Sequence, residues 1–137
     1  MSFELALWRI EKADTTFEEG EISFENHFYE GAINRFYYAS FHAVRSLLAT
    51  KGLDSPKHKG VISLFNREFV KPGLMSIQSS KTIRRLFDMR AVADYRDFAT
   101  FTEEQVREAR DDVRALIDEA ISFLQKEMQK GKMEGTE

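Results

Sequence analysis

The sequence predicts an all-α protein, an up-and-down antiparallel helical bundle of four long helices plus one short helix. Only two prolines and seven glycines interrupt 137 residues, which favours long helices over strands and turns. Hydrophobic residues make up 42% of the chain and twelve residues are Phe, enough for a sizeable core in one compact domain. Apolar residues recur every three or four positions along most of the chain, as they do on helix faces.

The first two helices are predicted over residues 2–19 and about 25–50. Gly20 is expected to end the first helix, and Ser23 can cap the helix that follows. The core stripe of the first helix consists of Phe3, Ala6, Leu7, Ile10, Ala13 and Phe17. The core face of the second consists of Ile33, Phe36, Tyr37, Phe41, Val44, Leu47 and Leu48.

A short third helix is predicted to start at Ser55-Pro56, with Ser as N-cap and Pro at the first helical position. It should end before the Lys-Pro-Gly sequence at residues 71–73. Its inward residues are Val61, Leu64, Phe65 and Phe69.

The fourth helix is predicted over residues 79–97, and the fifth begins at Thr102. Gln105 follows Thr102 by three residues, in the pattern of a capping box. The fifth helix buries Val106, Ala109, Val113, Leu116, Ile117, Ala120 and Leu124. Residues 1–128 should form the bundle, and residues 129–137 a polar tail that frays.

Charge and composition exclude several classes of protein. The net charge of −3 argues against a nucleic-acid binder that uses its whole surface, although a local basic patch can still hold RNA. The absence of cysteine excludes disulfides and thiolate chemistry. We expect no metal, no cofactor, no DNA-binding motif and no membrane segment, and therefore a cytoplasmic protein.

Arg90 and Asp94 lie in the middle of the inward stripe of the fourth helix, which comprises Ile83, Leu86, Phe87, Arg90, Asp94, Asp97 and Phe98. Charges on an inward face are costly unless they are paired or used. Arg90 and Asp94 are either an ion pair that fixes helix register or a clamp in which Asp94 holds Arg90 toward an anionic ligand. The two interpretations are about equally supported. Tyr95 points away from this stripe.

The second helix carries a polar stripe beside its core face. Arg35, Tyr38, His42 and Arg45 follow at spacings of three and four, and Asn34 lies one turn from Tyr38. An Arg and a His on one face can bind a phosphodiester and move a proton. The commoner explanation of such a stripe is an amphipathic boundary, where rings are buried and polar tips are exposed.

Two further features have both a functional and a structural explanation. Lys57, His58 and Lys59 form a cationic cluster at a helix start, where phosphate can dock or where the charges are simply solvated. Leu5 and Trp8 lie off the core stripe of the first helix. They form a patch for a partner or a dimer, or they pack under a loop of the same chain.

Three motifs in order resemble those of one subfamily of prokaryotic HEPN domains. A-I-N-R-F-Y-Y-A-S-F-H-A at residues 32–43 is similar to the signature A-x-N-R-x-Y-Y-A-x-F-H-A. K-H-K-G-V at residues 57–61 and R-A-V-A-D-Y at residues 90–95 resemble its second and third motifs. The resemblance extends over residues 13–123.

The resemblance implies a helical bundle that is often a homodimer. Many such genes accompany a minimal nucleotidyltransferase, and the pair commonly acts as a toxin–antitoxin module. Active members are metal-independent endoribonucleases whose site is an Arg followed, after four to six residues, by a His. Arg90 takes the place of that Arg, but the positions for the His hold Tyr95, Arg96 and Asp97.

Three hypotheses follow. The first is a ribonuclease or toxin component with Arg90, Asp94, Tyr95 and His42 as candidate catalytic residues, and Asn34, Arg35, Tyr38, Lys57 and His58 as candidate nucleotide- or phosphate-binding residues. The second is a non-catalytic dimer that binds a nucleotide or a partner, with Arg90 and Asp94 as a ligand clamp or a structural ion pair. The third is a purely structural bundle. The missing late His favours binding over cleavage.

Overall fold

The computed structural model describes residues 3–134, and all of its regular elements are helical. They are α1 (Glu4–Glu25), α2 (Tyr29–Ala49), α3 (His58–Phe65), a π-helix (Asn66–Val70), α4 (Ile77–Tyr95) and α5 (Glu103–Glu134). No strand occurs within residues 3–134. The predicted all-α class, with four long helices and one short helix, is confirmed.

Helix α2 lies at the centre of the bundle and contacts each of the other four α-helices. Ile33, Phe36, Tyr37, Val44 and Leu47 on this helix are fully buried, as the periodicity predicts. The other apolar residues of the predicted core are buried too, apart from the exposed Leu7 and Phe98 and the partly buried Phe3, Leu64 and Phe87. None of the described helices is both long and apolar enough to cross a bilayer.

The prediction that Gly20 ends the first helix is wrong. Helix α1 continues to Glu25, and Gly20 is buried against the ring of Phe36. A Cβ atom at this position would lie 2.6 Å from Phe36 Cε1, so the glycine permits close packing of α1 on α2. Ser23 consequently lies inside α1 and caps nothing, and α2 begins at Tyr29 after a turn in which His27 has a φ of 63°.

Helix α3 begins at His58, two residues later than predicted, with extended backbone at Lys57. Ser55 does not cap the helix, although its Oγ accepts the Lys57 N–H at 3.3 Å. Gly60 lies against Ser55 so closely that a Cβ atom there would collide with Ser55 Oγ. The loop before α3 is therefore packed onto its first turn. The π-helix that continues α3 ends at Val70, before residues 71–73 as predicted.

Helix α4 begins two residues earlier and ends two residues earlier than predicted. Ser76 caps its start by accepting the Ser79 N–H at 3.1 Å, and Glu119 on α5 in turn accepts the Ser76 N–H and hydroxyl. Because α4 ends at Tyr95, Asp97 and Phe98 do not lie on its inward face. Phe98 is fully exposed, with a φ of 61°.

The predicted capping box at the start of α5 is confirmed. Thr102 N–H donates to Gln105 Oε1 at 2.9 Å, and Gln105 N–H donates to Thr102 Oγ1 at 3.1 Å. Helix α5 then runs to Glu134, so residues 129–134, assigned above to a frayed tail, continue the helix. The last part of that tail, residues 135–137, lies outside the described residues.

Candidate functional site

The Arg90 guanidinium lies among three aromatic rings, which we call the Arg90 cage. Its Cζ atom is 5.0 Å from the ring centre of Tyr37, 5.7 Å from that of Tyr38 and 5.7 Å from that of Phe87. The side chain is only 14% exposed. Cation–π contacts of this kind strengthen as the cation loses water. The sequence places Arg90 correctly on the inward face of α4. The contacts with the three rings offset part of the free-energy cost of burying its charge there.

Polar contacts satisfy only part of this guanidinium. Nη1 donates to Asp94 Oδ2 at 3.3 Å and, more weakly, to Tyr38 Oη at 3.5 Å. Nε is buried and has no hydrogen-bond partner within residues 3–134. The ion pair between Arg90 and Asp94 thus exists, but it engages one nitrogen and leaves the Nε edge unused. Asp94 orients the guanidinium without fully neutralising it.

His58 joins the same aromatic cluster from α3. The Tyr37 hydroxyl and His58 Nδ1 lie 2.7 Å apart, and the imidazole stacks on Phe41 with ring centres 4.3 Å apart. Burial raises the pKa of Tyr37 far above its usual range, and burial lowers the pKa of His58, with the charges of Arg90 and Arg45 acting in the same direction. The Tyr37 hydroxyl therefore keeps its proton, and Nδ1 is the acceptor that the described contacts offer it. In the tautomer that accepts this hydrogen bond, the neutral imidazole carries its own proton on Nε2.

A shallow depression of about 530 Å³ adjoins His58; its lining comprises Phe41, Arg45, Asp54, Ser55, Pro56 and His58. Arg45 Nη2 donates to Asp54 Oδ2 at 2.7 Å, and the Arg45 guanidinium lies 5.9 Å from the ring centre of Phe41. An imidazole and a guanidinium thus face one open hollow. Such a pair can hydrogen-bond to an anionic ligand.

The His42 side chain lies outside the Arg90 cage. Its ring is 6.3 Å from that of Tyr38, and the described contacts of Arg90 do not include it. Burial lowers the pKa of His42 to about 4, assisted by the charges of Lys12 and three arginines. His58, which the sequence suggests only as a phosphate ligand, is thus the histidine that shares Tyr37 with Arg90.

The remaining predicted residues separate into two groups. Arg35 donates to Asn34 Oδ1 at 3.1 and 2.7 Å and lies 5.4 Å from the Tyr38 ring centre, so both residues adjoin the cage through Tyr38. Tyr95 and Lys57, by contrast, are exposed. Tyr95, at 80% exposure, points away from Arg90 as the helical spacing predicts.

Leu5 and Trp8 are 51% and 67% exposed, so they do not pack under a loop within the described part of the chain. The patch they form remains a candidate contact surface.

Tyr37 and Phe87 are the residues of the site that sequence reasoning missed, because both read as ordinary members of apolar stripes. One signal was available for Tyr37. A buried tyrosine needs a partner for its hydroxyl, and a histidine is a common one. Nothing in the sequence, however, shows that α3 brings His58 to this point.

Comparisons with known proteins agree with this architecture. The HEPN domain model matches residues 6–126. A UPF0332 protein of Thermotoga maritima is 39% identical over 101 residues, which cover 74% of this chain and 76% of that protein. A UPF0332 protein of Archaeoglobus fulgidus is 30% identical over 118 residues, or 86% of this chain and 94% of that one.

Another relative, from Methanocaldococcus jannaschii, is named "Putative toxin" and is 40% identical over 86 residues. The match covers 63% of this chain and 64% of that protein, so this chain spans less than two thirds of it. The motifs at residues 32–43, 57–61 and 90–95 all lie within the residues that the HEPN domain model matches. The chain belongs to the HEPN family.

Proposed function

We propose that this HEPN protein is a toxin-type component that binds a phosphate-bearing ligand, a nucleotide or RNA, at the Arg90 cage. The observation that carries the proposal is the state of Arg90. Its guanidinium is held by three rings and one carboxylate, yet Nε has no partner within residues 3–134. The relative from M. jannaschii named as a toxin supports the broader assignment.

A phosphate group suits the unused side of this guanidinium. Phosphate oxygens accept two parallel N–H bonds from one Arg, and the Nε and Nη2 edge is a matching pair of donors. The surrounding rings exclude water and so strengthen such bonds. Nε has no partner within residues 3–134 and is fully buried, so a ligand would pair with it after a small displacement of a neighbouring ring.

Binding is better supported than cleavage by the chemistry of the nearby groups. In the tautomer in which His58 Nδ1 accepts from Tyr37, His58 has no free lone pair with which to act as a base, and Nε2 is a donor. Metal-independent cleavage of RNA is the second candidate function, favoured by the presence of an imidazole and a guanidinium in one aromatic cluster. In that case His58 acts as a proton donor in place of a late-helix His.

The family resemblance adds two partners to the proposal. One is a minimal nucleotidyltransferase encoded beside this chain, acting as the antitoxin of the pair. The other is a second copy of the chain, with the Arg90 cages near the dimer interface. Sedimentation of the purified chain, alone and mixed with the nucleotidyltransferase, tests both; a monomer that binds no nucleotidyltransferase rejects them.

Calorimetric titration with ATP and with a short single-stranded RNA tests the ligand. Arg90→Ala should weaken binding by about ten- to a hundredfold, because a hydrogen-bonded charge pair is lost. Arg84→Ala, an exposed arginine on the same helix, is the matched control and should bind as the wild type does. Equal affinity of Arg90→Ala and wild type would refute the proposed site.

A metal-free assay on the same RNA tests the second candidate. If the wild type cleaves and His58→Gln does not, while His42→Gln retains activity, His58 is the proton donor. Absence of cleavage by the wild-type protein, purified free of its partner, excludes the ribonuclease activity and leaves the binding function standing.

A further inference from the structure

One edge of the α1–α2 pair collects positive charge around His42. Arg9 and Lys12 contribute from α1, and Arg35 and Arg45 from α2, and all four act electrostatically on the half-buried imidazole. The whole chain carries a net charge of −3, so this cluster of cations is opposite in sign to the net charge of the chain. A local excess of one charge attracts the opposite charge.

Two carboxylates are present on this edge, and they do not balance it. Asp54 accepts from both Arg9, at 3.3 Å, and Arg45, at 2.7 Å. Glu19, which is 55% exposed, lies 3.9 Å from Arg35. Lys12 pairs with no carboxylate within residues 3–134. Four cations thus face two carboxylates, one of them at the limit of an ion pair.

The imidazole of His42 lies in the same place and is open to a ligand. Neither of its ring nitrogens has a hydrogen-bond partner in the described part of the chain, and neither is among the fully buried unpaired atoms there, so both can be reached from solvent. A phosphate group could occupy this position. Its oxygens accept hydrogen bonds from imidazole and ammonium, and its charge offsets the repulsion among the cations.

We propose that the edge formed by Arg9, Lys12, Arg35, His42 and Arg45 is a second phosphate-binding site, which adjoins the Arg90 cage at Tyr38. The Tyr38 ring contacts both sites, with the Arg35 guanidinium 5.4 Å and the Arg90 guanidinium 5.7 Å from its centre. The inference extends the proposed function: a ligand with two or more phosphates, either a polyphosphate or an oligonucleotide, would reach both sites. The edge can also bind phosphate if the cage does not.

The test follows the ring resonances of His42 by NMR during titration with inorganic pyrophosphate and, separately, with a short single-stranded RNA. We expect the His42 signals to move and the His42 pKa to rise as either probe binds, because the added negative charge favours imidazolium. Lys12→Gln should weaken binding about fivefold. With RNA, the same substitution should reduce the salt dependence of log K by roughly one charge.

Lys81→Gln is the matched control, because Lys81 is an exposed lysine on α4 and its loss changes the net charge equally. It should bind both probes as the wild type does. Response to pyrophosphate and RNA identifies a general phosphate site, and response to RNA alone identifies a polynucleotide site; both outcomes support the proposal.

Three results would overturn this proposal. The first is that the His42 signals respond to neither probe, and the second is that Lys12→Gln and Lys81→Gln weaken binding equally. The third is that Lys12→Gln changes the oligomeric mass while binding is unchanged, which would make the edge a contact between copies. Arg90→Ala separates this inference from the proposed function. If Arg90→Ala loses affinity and the His42 signals of the wild type do not move, only the second site is rejected. If Arg90→Ala keeps its affinity and the His42 signals move, only the cage is rejected.

Discussion

Helix α2 presents two faces that differ in how their large side chains are accommodated. Toward α1, Phe36 packs on Gly20 and Phe17, with the two Phe ring centres 5.3 Å apart. Toward α3 and α4, Tyr37 and Tyr38 share their rings with the Arg90 guanidinium and with the His58 imidazole. The described contacts on the face toward α1 are apolar packing, whereas those on the face toward α3 and α4 combine aromatic packing with a guanidinium and an imidazole. Substitutions on the first should therefore cost stability, and those on the second should cost ligand affinity.

The largest effect is expected on the face toward α1. Phe36→Ala removes a fully buried ring and should lower the free energy of unfolding by about 3–5 kcal/mol, since the cavity cannot refill. Arg35→Ala, at the adjacent and partly exposed position on the polar edge of α2, should cost less than about 1 kcal/mol. Urea denaturation of both variants measures the difference. Similar losses would show that the two faces are not distinct.

Gly20→Ala gives a sharper test of the same contact. Helix propensity alone predicts that alanine stabilises α1, but the added methyl meets Phe36 and should cost about 1–3 kcal/mol. Gly31→Ala on α2 is the control, because its Cβ would have no atom nearer than 3.8 Å. There we expect a gain of about 0.5–1 kcal/mol. A stabilising Gly20→Ala would contradict the close packing of α1 on α2.

On the charged face, Tyr37→Phe removes the hydroxyl that fixes the His58 tautomer. The expected loss of stability is about 1 kcal/mol, the value of one hydrogen bond. The more specific readout is the nitrogen NMR spectrum of His58, which should change from the Nε2–H tautomer to a mixture. An unchanged tautomer would mean that another group holds the ring.

The last test of this comparison concerns pH. Because the folded pKa of His42 is about 4, below the ordinary value for histidine, the unfolded chain binds the extra proton first as the pH falls. Stability should decline between about pH 6.5 and pH 4, and the decline should be shallower in His42→Gln. Some slope should remain, since the pKa of His58 is lowered too. Unfolding free energies at a series of pH values measure both slopes; identical slopes would contradict the burial of His42 among cations.

The fold was largely predictable because long amphipathic helices carry their own pattern. The α5 capping box and most of the core residues follow from spacing alone. The prediction for Gly20 was wrong for a physical reason. A glycine that ends a helix and a glycine that admits a neighbouring ring cannot be distinguished from the sequence alone. What distinguishes them is Phe36, sixteen positions away and on another helix.

The site was predictable only in part. The inward position of Arg90 and its pairing with Asp94 follow from helical geometry. Its aromatic partners Tyr37 and Tyr38 come from α2, more than fifty positions earlier, and periodicity within one helix carries no information about them. The choice between His42 and His58 likewise depends on where α3 meets α2. That contact is set by the loop packed between Ser55 and Gly60.

Trp8 gives this molecule a built-in optical probe. It is the only tryptophan in the chain, it is 67% exposed, and it lies one helical turn from Lys12. Fluorescence excited at the red edge of the aromatic absorption band therefore comes from one place on the α1 surface. Its emission can report in real time what arrives at that edge of the bundle, without any label and without altering a single residue.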